Sequence, residues 1–438
     1  MTTTARHPGV FVQIGATRDG LDPYLHEARR RAMPAILVET PGYLALRRGL
    51  GRAAFDIELG IDDPSDPAEV CRALGDRAAE VALVLGGFER YNVCAHAAAH
   101  ALGVTLVQRA GQRPFLPLDK AAQRALLTER APAVLQPRHV ALPLDRIEDL
   151  VMMIELMQLR YPLVVKPSDG GGGLGVFLVD GPGDLRPALE RVGATPNYGG
   201  GRFTRVVAEE FIAGTEYSIQ GVAFAGEATI LTVCEKLIVR EQQRTAAGLA
   251  GFREAGHIAQ SGAAFADELR VLAQRCVSAM EYTCGPFHVD FIRTDQGDHF
   301  VEMGFRLSGG GVVGLVERTV GLRWAELVFC VHLDRRPPAA APRRDLVVGI
   351  ATLATDAELA FFHELRARGG AIDVQRFAPG GGDGRDDDDD HAAQLVSDRR
   401  RHGGFKGRVV LEASDPAAVR RSLSSGIRAR LEHGVCVD

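Results

Sequence analysis

Tyr161-Pro162-Leu163-Val164-Val165-Lys166-Pro167-Ser168-Asp169, continued by Gly170-Gly171-Gly172-Gly173-Leu174-Gly175 and Val176-Phe177-Leu178-Val179, is the stretch on which the reading of this chain turns. An apolar strand ends on a lysine, a glycine-rich tip follows, and a second apolar strand returns, so the segment predicts a hairpin with a pliant tip. A dinucleotide-binding turn would place its glycines directly after the strand and open a helix, whereas here Lys166 to Asp169 intervene and strand resumes at Val176. The G-x-x-x-x-G-K-[ST] spacing of a Walker loop is absent. Two readings stay open on these residues alone. One is a floppy turn. The other is a flap whose bare backbone N–H groups close on phosphate oxygens, with Lys166 as the fixed cation beside them.

Two later segments extend the pattern. In Val206-Val207-Ala208-Glu209-Glu210-Phe211-Ile212-Ala213-Gly214-Thr215-Glu216-Tyr217-Ser218 a strand reverses at Gly214 and an acid heads the next strand. Such a bend can offer a backbone carbonyl and N–H to an adenine edge, and Glu216 to ribose hydroxyls; the plainer reading is a hairpin with solvated glutamates. Farther on, Phe287-His288-Val289-Asp290-Phe291-Ile292 and His299-Phe300-Val301-Glu302-Met303-Gly304-Phe305-Arg306 flank a turn at Gly297. Alternation makes Asp290 and Glu302 point away from their apolar neighbours, each alone on its strand. Two carboxylates on adjacent antiparallel strands, with no equally near basic residue in sequence, repel unless a divalent cation lies between them, and Mg²⁺ suits hard oxygen ligands. An ion pair from either acid to Arg306 is the structural alternative. Gly309-Gly310-Gly311 beyond Arg306 would let a ligand approach the backbone closely.

The 438-residue chain is too long for one ordinary core, so two or three domains are expected. Its apolar share of 46% and charged share of 24% are those of a folded protein in water. A net charge of −5 provides no field for collecting phosphate backbones or anionic lipid, which argues against nucleic acid and membrane partners. No run approaches the ~18 apolar residues of a membrane span, and a cytoplasmic protein is expected. The seven cysteines are scattered without metal-site spacing and read as reduced core thiols. Only Lys120, Lys166, Lys236 and Lys406 are lysine among 51 basic residues, so each invites a reason. A compact ammonium serves as a point charge against phosphate oxygens, which suits all but Lys406, read as chance retention.

The first ~110 residues alternate strand and helix patterns, with strands at Val10 to Ile14, Ala35 to Val38 and Val81 to Leu85, and predict a parallel α/β layer. His96 and His100 share one helical face there, without a third metal ligand nearby. A helix beginning at Asp119-Lys120 opens the next domain. The expected division is 1–115, an α/β domain; 116–333, a central α+β domain with a lid near 137–207; and 334–438, a C-terminal α+β domain. The tract Gly380 to Asp390, with five consecutive aspartates, reads as a solvated loop.

A distant lysine, a strand lysine with its glycine flap, the Glu209-Glu210-Phe211-Ile212 bend with Glu216, and then Asp290 and Glu302 with Arg306 occur in an order that resembles the ATP-grasp superfamily. Within it the chain looks like the carboxylate–amine ligases, especially the L-amino acid ligase (dipeptide synthetase) branch, from about Val81 onward. The resemblance implies an ATP-grasp fold and an amide-forming reaction between a carboxylate and an amine, both amino acids in this branch, through an acylphosphate with release of ADP and phosphate. It further implies that Lys120, Lys166 and Ser168 hold the ATP phosphates beneath Gly171, Gly172, Gly173 and Leu174. Glu209, Glu210, Phe211 and Ile212 would border adenine, with backbone contacts from Glu210 and Ile212, and Glu216 would hold ribose. Asp290 and Glu302 would bind Mg²⁺, with Mn²⁺ as a substitute. Arg306, with Lys166, would serve the transferred phosphoryl group. Glu254, His257, Gly309 and Gly310, with Arg306, would lie on the substrate side. Homodimers are common among such enzymes. Many superfamily members have Asn where this chain has Gly304, which leaves a second metal ion open. A biotin-carboxylase-like enzyme with another nucleophile, or a non-catalytic nucleotide-binding protein, is the alternative; the former resembles E-M-N-T-R, and this chain has Glu302-Met303-Gly304-Phe305-Arg306.

Overall fold

A computed structural model describes residues 9–17, 22–49, 51–104, 118–171, 173–197, 201–242, 249–265, 267–333, 337–338, 343, 345–376, 405–428 and 431. Gly172, Cys436, most of the connector after Leu333 and the aspartate tract lie outside them.

The N-terminal layer is built from β1 (Val10–Ile14), α1 (Pro23–Arg30), β2 (Ala35–Glu39), α2 (Pro41–Gly49), β3 (Ile57–Gly60), α3 (Pro67–Leu74), β4 (Val81–Gly86) and α4 (Asn92–Ala101). Its sheet has the order β3-β2-β1-β4, parallel throughout. The central strands are buried along their whole length because helices cover both faces, hence their nearly unbroken apolar sequence. Alternate residues serve different cores. Val10, Val12 and Ile14 pack under α3 and α4, whereas Phe11 meets Phe329, far along the chain, at a ring distance of 5.0 Å in a shared core. His96 is held neutral by burial, which pushes its pKa down to about 4, and His100 is exposed. They form no metal cluster with a third ligand among the described residues.

The central region begins with α5 (Lys120–Arg130), capped by the Asp119 side chain, which accepts from Ala122 N. The stretch expected to form a lid follows as a four-stranded segment with two helices: β5 (His139–Pro143), α6 (Ile147–Leu156), β6 (Leu163–Pro167), β7 (Phe177–Val179), α7 (Pro182–Ala194) and β8 (Arg205–Glu210). The expected hairpin is present, with Leu163 opposite Val179 and Val165 opposite Phe177. Beyond it run β9 (Thr215–Phe224), β10 (Glu227–Gln242), β11 (Ala250–Ser261), α8 (Asp267–Ala279), β12 (Cys284–Thr294), β13 (Gly297–Gly304), α9 (Val312–Val320) and α10 (Trp324–His332). The strand order β13-β12-β9-β10-β11-β7-β6-β8-β5 joins the large antiparallel sheet to the lid through β11 and β7.

The C-terminal elements are β14 (Val347–Leu353), α11 (Asp356–Ala367), β15 (Ile372–Arg376), β16 (Gly407–Ala413) and α12 (Pro416–Gly426). Strand β14 pairs with β11, so this segment extends the central sheet. One face of the large sheet packs Ile219, Val233, Val289 and Phe291 beneath Leu272, Cys276 and Val277 of α8. Truncating a ring such as Phe291 to Ala would cost ~3–5 kcal/mol. Cys94, Cys234, Cys276 and Cys284 are buried free thiols, and Cys71 and Cys330 are half-buried. No described helix is long and apolar enough to cross a membrane.

Candidate active site

The period-2 alternation that buries Ile219, Val233, Val289 and Phe291 beneath α8 sends their neighbours to the other face. Ser218 lies opposite Asp290, Gln220 opposite His288, Asp290 opposite Glu302, and Lys236 opposite His257. Cross-strand partners share a face, so these residues form a polar floor on an otherwise apolar sheet.

Asp290 and Glu302 are therefore neighbours across β12 and β13, as alternation predicted, but they do not stand alone. Lys236 Nζ lies 2.5 Å from Asp290 Oδ2, 2.8 Å from Glu216 Oε1 and 3.5 Å from Glu254 Oε2. Lys120 Nζ lies 2.7 Å from Glu302 Oε2. The expectation of two acids without basic partners is corrected: the compensating charges come from β10 and the start of α5, distant in sequence. Nor does Arg306 pair with either acid; its Nε lies 2.8 Å from Oε2 of Glu89, in the N-terminal layer.

The electrostatics follow from this packing. Burial would raise the Glu302 carboxyl, yet the Lys120 ammonium holds it well below the usual range. Burial would lower Lys236, but Asp290, Glu216 and Glu254 push it well above its ordinary value. Burial raises Glu216, and the nearby charges of Asp290 and Glu254 add to that rise against Lys236. Ser218 Oγ donates to Asp290 Oδ1 at 2.5 Å, Gln220 Nε2 donates to Ser218 Oγ at 2.6 Å, and Ser308 Oγ donates to Gln220 Oε1 at 2.6 Å. This relay orients one oxygen of Asp290.

The other wall comes from the lid. Lys166 Nζ and Arg124 Nη2 both bind the buried carboxylate of Glu209. Burial opposes its charge, but Arg124 and Lys166 keep the Glu209 carboxyl below its usual value. Glu210 pairs with Arg138 and Arg160, each at 3.1 Å. Both glutamates are buried, so the solvated-hairpin reading of this bend is excluded. Glu210 N donates to Arg138 O and Phe211 N to Pro162 O, so neither N–H is free to act as an adenine donor. Phe211 stacks on Phe252 at 6.4 Å, and Ile212 is half-buried beside it.

Lys120 also ties the flap to this floor. Its Nζ donates to Gly170 O, its backbone N donates to Ser168 O at 2.8 Å, and Ala121 N donates to Ser168 Oγ at 3.3 Å. Gly173 has φ +77°, and a Cβ there would lie 2.7 Å from Phe252 O, so only glycine brings the tip this close to β11. Gly171 and Leu174 complete the described part of the tip. On the opposite side, Glu254 Oε1 lies 3.1 Å from His257 Nε2, and a Cβ on Gly310 would sit 3.7 Å from both side chains. Glu254, His257 and Gly310 are thus brought together, while a Cβ on Gly309 would meet open space. A cavity of about 600 Å³ lined by Ala121, His139, Met153 and Arg205 contains none of these acids and is not part of the floor.

Sequence reading did not assign Lys236, Arg124, Glu89 or His288 to a site. The rarity of lysine singled out Lys236, and the two-residue spacing from Asp290 could have found His288; nothing local marks Arg124 or Glu89. One donor atom each from His288, Asp290 and Glu302 lies within 4.8 Å of the others, a donor set that fits a divalent cation.

Residues 131–310 match the family described as the ATP-grasp domain. Dapdiamide A synthase of Enterobacter agglomerans is 27% identical over 162 residues, 37% of each chain. An L-arginine-specific L-amino acid ligase of Bacillus subtilis is 23% identical over 197 residues, 44% of this chain and 45% of the relative. The matches thus span less than half the length of these curated relatives. The crystal structure of an L-amino acid ligase from Bacillus licheniformis superposes with a TM-score of 0.65 at 18% identity, covering 95% of this chain and 98% of that one, which is a likeness of fold.

Proposed function

We propose that this chain, which carries an ATP-grasp domain at residues 131–310, is an ATP-dependent ligase that joins a carboxylate to an amine through an acylphosphate. The observation that carries the reading is the opposition of Asp290 and Glu302 on a polar floor, with Lys120 and Lys236 against them and a glycine flap alongside. The substrates we assign are small molecules, with an amino acid on each side of the new bond, as the names of the relatives suggest.

A carboxylate and an amine do not condense unaided, because hydroxide is a poor leaving group. Transfer of the γ-phosphoryl group to a carboxylate oxygen releases ADP and makes phosphate the leaving group; amine nitrogen then bonds to the acyl carbon while the C–O bond to phosphate breaks, and the proton the nitrogen sheds leaves with the phosphate. Asp290 and Glu302 would hold Mg²⁺, or Mn²⁺ in its place, and that ion would screen charge between the transferring oxygens. Lys120 and Lys166 would meet the phosphates; Lys166 is already fixed by Glu209, which is no metal ligand, so little ordering of that side chain remains when anion binds, whereas Lys120 would exchange Glu302 for a phosphate oxygen. Ser168 and the flap residues Gly171, Gly173 and Leu174 would cover the phosphates and keep water from the acylphosphate. Arg306 would stabilise the charge that develops on the phosphoryl group and the tetrahedral carbon. Glu216 would take the ribose hydroxyls, with Phe211 and Ile212 bordering adenine. Glu254, His257 and the Gly309–Gly310 turn would receive the amino acid.

The test is ADP release from ATP over a matrix of amino acid pairs. Release that requires both an acid and an amine, with an amide product in equal amount, is expected. ADP release that responds to bicarbonate and to no amine, or none with any pair, would overturn the reading.

A further inference from the structure

We infer that His288 is a third protein ligand of the divalent cation held by Asp290 and Glu302, and that glycine stands at position 304 to admit its ring. This deepens the reading above and rests on it. His288 lies two residues before Asp290 on β12, hence on the same face, and its register partner on β13 is Gly304. The imidazole lies over that glycine. A Cβ at 304 would come within 2.1 Å of Cε1, 2.5 Å of Nε2 and 2.9 Å of Nδ1 of His288. No other residue fits beneath the ring, and the ring fills the space a side chain at 304 would take.

The ring is placed for more than filling. His288 is only 7% exposed, and among the described residues its Nδ1 is buried without a hydrogen-bond partner. A buried donor or acceptor left unpaired is costly, and metal coordination is one way to satisfy imidazole. One donor atom from each of His288, Asp290 and Glu302 falls within 4.8 Å of the other two. Two ligands on opposite sides of an ion at ~2.1 Å from each are ~4.2 Å apart, so a small closure completes the shell. Lys236 and Lys120, now on the two carboxylates, would turn to phosphate oxygens as the ion takes their place.

Selectivity follows. Magnesium takes oxygen ligands almost exclusively, whereas Mn²⁺ and Co²⁺ accept imidazole readily, so a two-carboxylate, one-imidazole site favours Mn²⁺ over Mg²⁺ relative to an all-oxygen site.

The experiment is pulsed electron paramagnetic resonance of Mn²⁺ bound to the full-length chain with ATP, using protein with ¹⁵N-labelled histidine to separate imidazole from adenine nitrogen, alongside Mn²⁺ and Mg²⁺ titrations. Wild type is expected to show ¹⁵N coupling. His288→Ala and His288→Gln are expected to lose it, with Mn²⁺ affinity down at least tenfold and Mg²⁺ affinity changed far less. Mn²⁺ that binds wild type, is lost in Glu302→Gln, and shows no ¹⁵N coupling would overturn the inference and leave the ligase reading standing. Absence of Mn²⁺ binding in wild type, together with no amine-dependent ADP release, would overturn both. Absence of coupling in the wild-type spectrum overturns the inference without any variant, and coupling that persists in both His288 variants overturns it as well, so one poorly folding substitution does not obscure the result.

Discussion

Arg306 is anchored by Glu89, a residue of the N-terminal layer, with Nε 2.8 Å from Oε2, while the other oxygen of Glu89 accepts the Phe305 backbone N–H at 3.1 Å. Asn92 Nδ2 adds a bond to Phe305 O at 2.9 Å. The short helical turn at Glu89–Tyr91 and the start of α4 therefore clamp the end of β13 from a separate layer. An arginine that must meet a developing charge gains from being held before substrate arrives.

Glu89→Ala should therefore lower turnover by up to about a hundredfold, the order that a 1 Å misplacement of a catalytic group costs, and leave ATP affinity nearly intact. Loss of the backbone acceptor should reduce stability by ~1 kcal/mol. Steady-state ADP release and a thermal melt check both; an unchanged kcat would show that Arg306 needs no anchor.

Lys236 neutralises three carboxylates at once, Asp290, Glu216 and Glu254. Lys236→Met removes the cation these three acids share on a mostly buried face and should destabilise the nucleotide-free chain by ~3 kcal/mol or more. Excess Mn²⁺ should recover part of that loss, because an ion on the acids replaces the missing charge. Melting curves with and without the ion read this directly.

Glu216 carries a carboxyl raised by burial and by its acidic neighbours. A folded pKa above the unfolded value of ~4.3 means that ionising this group at neutral pH opposes folding. Glu216→Gln should melt a degree or two higher at pH 7, on the order of ~2 °C, with the gain shrinking as pH falls towards ~4, while nucleotide affinity drops. A lower melting temperature at pH 7 would refute the strain assigned to this acid.

Glu302 has the opposite sign. Its folded pKa lies below the unfolded ~4.3, so its stabilising effect is present above that pH and is lost as pH falls towards the folded value. Urea midpoints of wild type and Glu302→Gln should differ at pH 6, with the difference beginning to shrink below pH ~4 and narrowing further as the pH is lowered, and amine-dependent ADP release should be absent in the variant at every pH.

The parts of this protein that repeat over a few residues were open to reading without coordinates. Strand alternation placed Asp290 and Glu302 on one face, glycine permissiveness marked the β6–β7 tip, and the alternating N-terminal pattern implied a parallel layer, because each depends on local backbone geometry. The partners were not open to reading in the same way. Lys236 meets Asp290 through the pairing of β9 with both β10 and β12, Lys120 reaches Glu302 from another element, and Glu89 reaches Arg306 from another layer. Nothing near Glu209 in sequence shows that Arg124 and Lys166 enclose it. Charge compensation is a property of which strands become neighbours, and that is decided by packing the whole chain; the acids were therefore legible as acids on a common face, whereas their neutralisation, and the ring of His288 above Gly304, came only from tertiary structure.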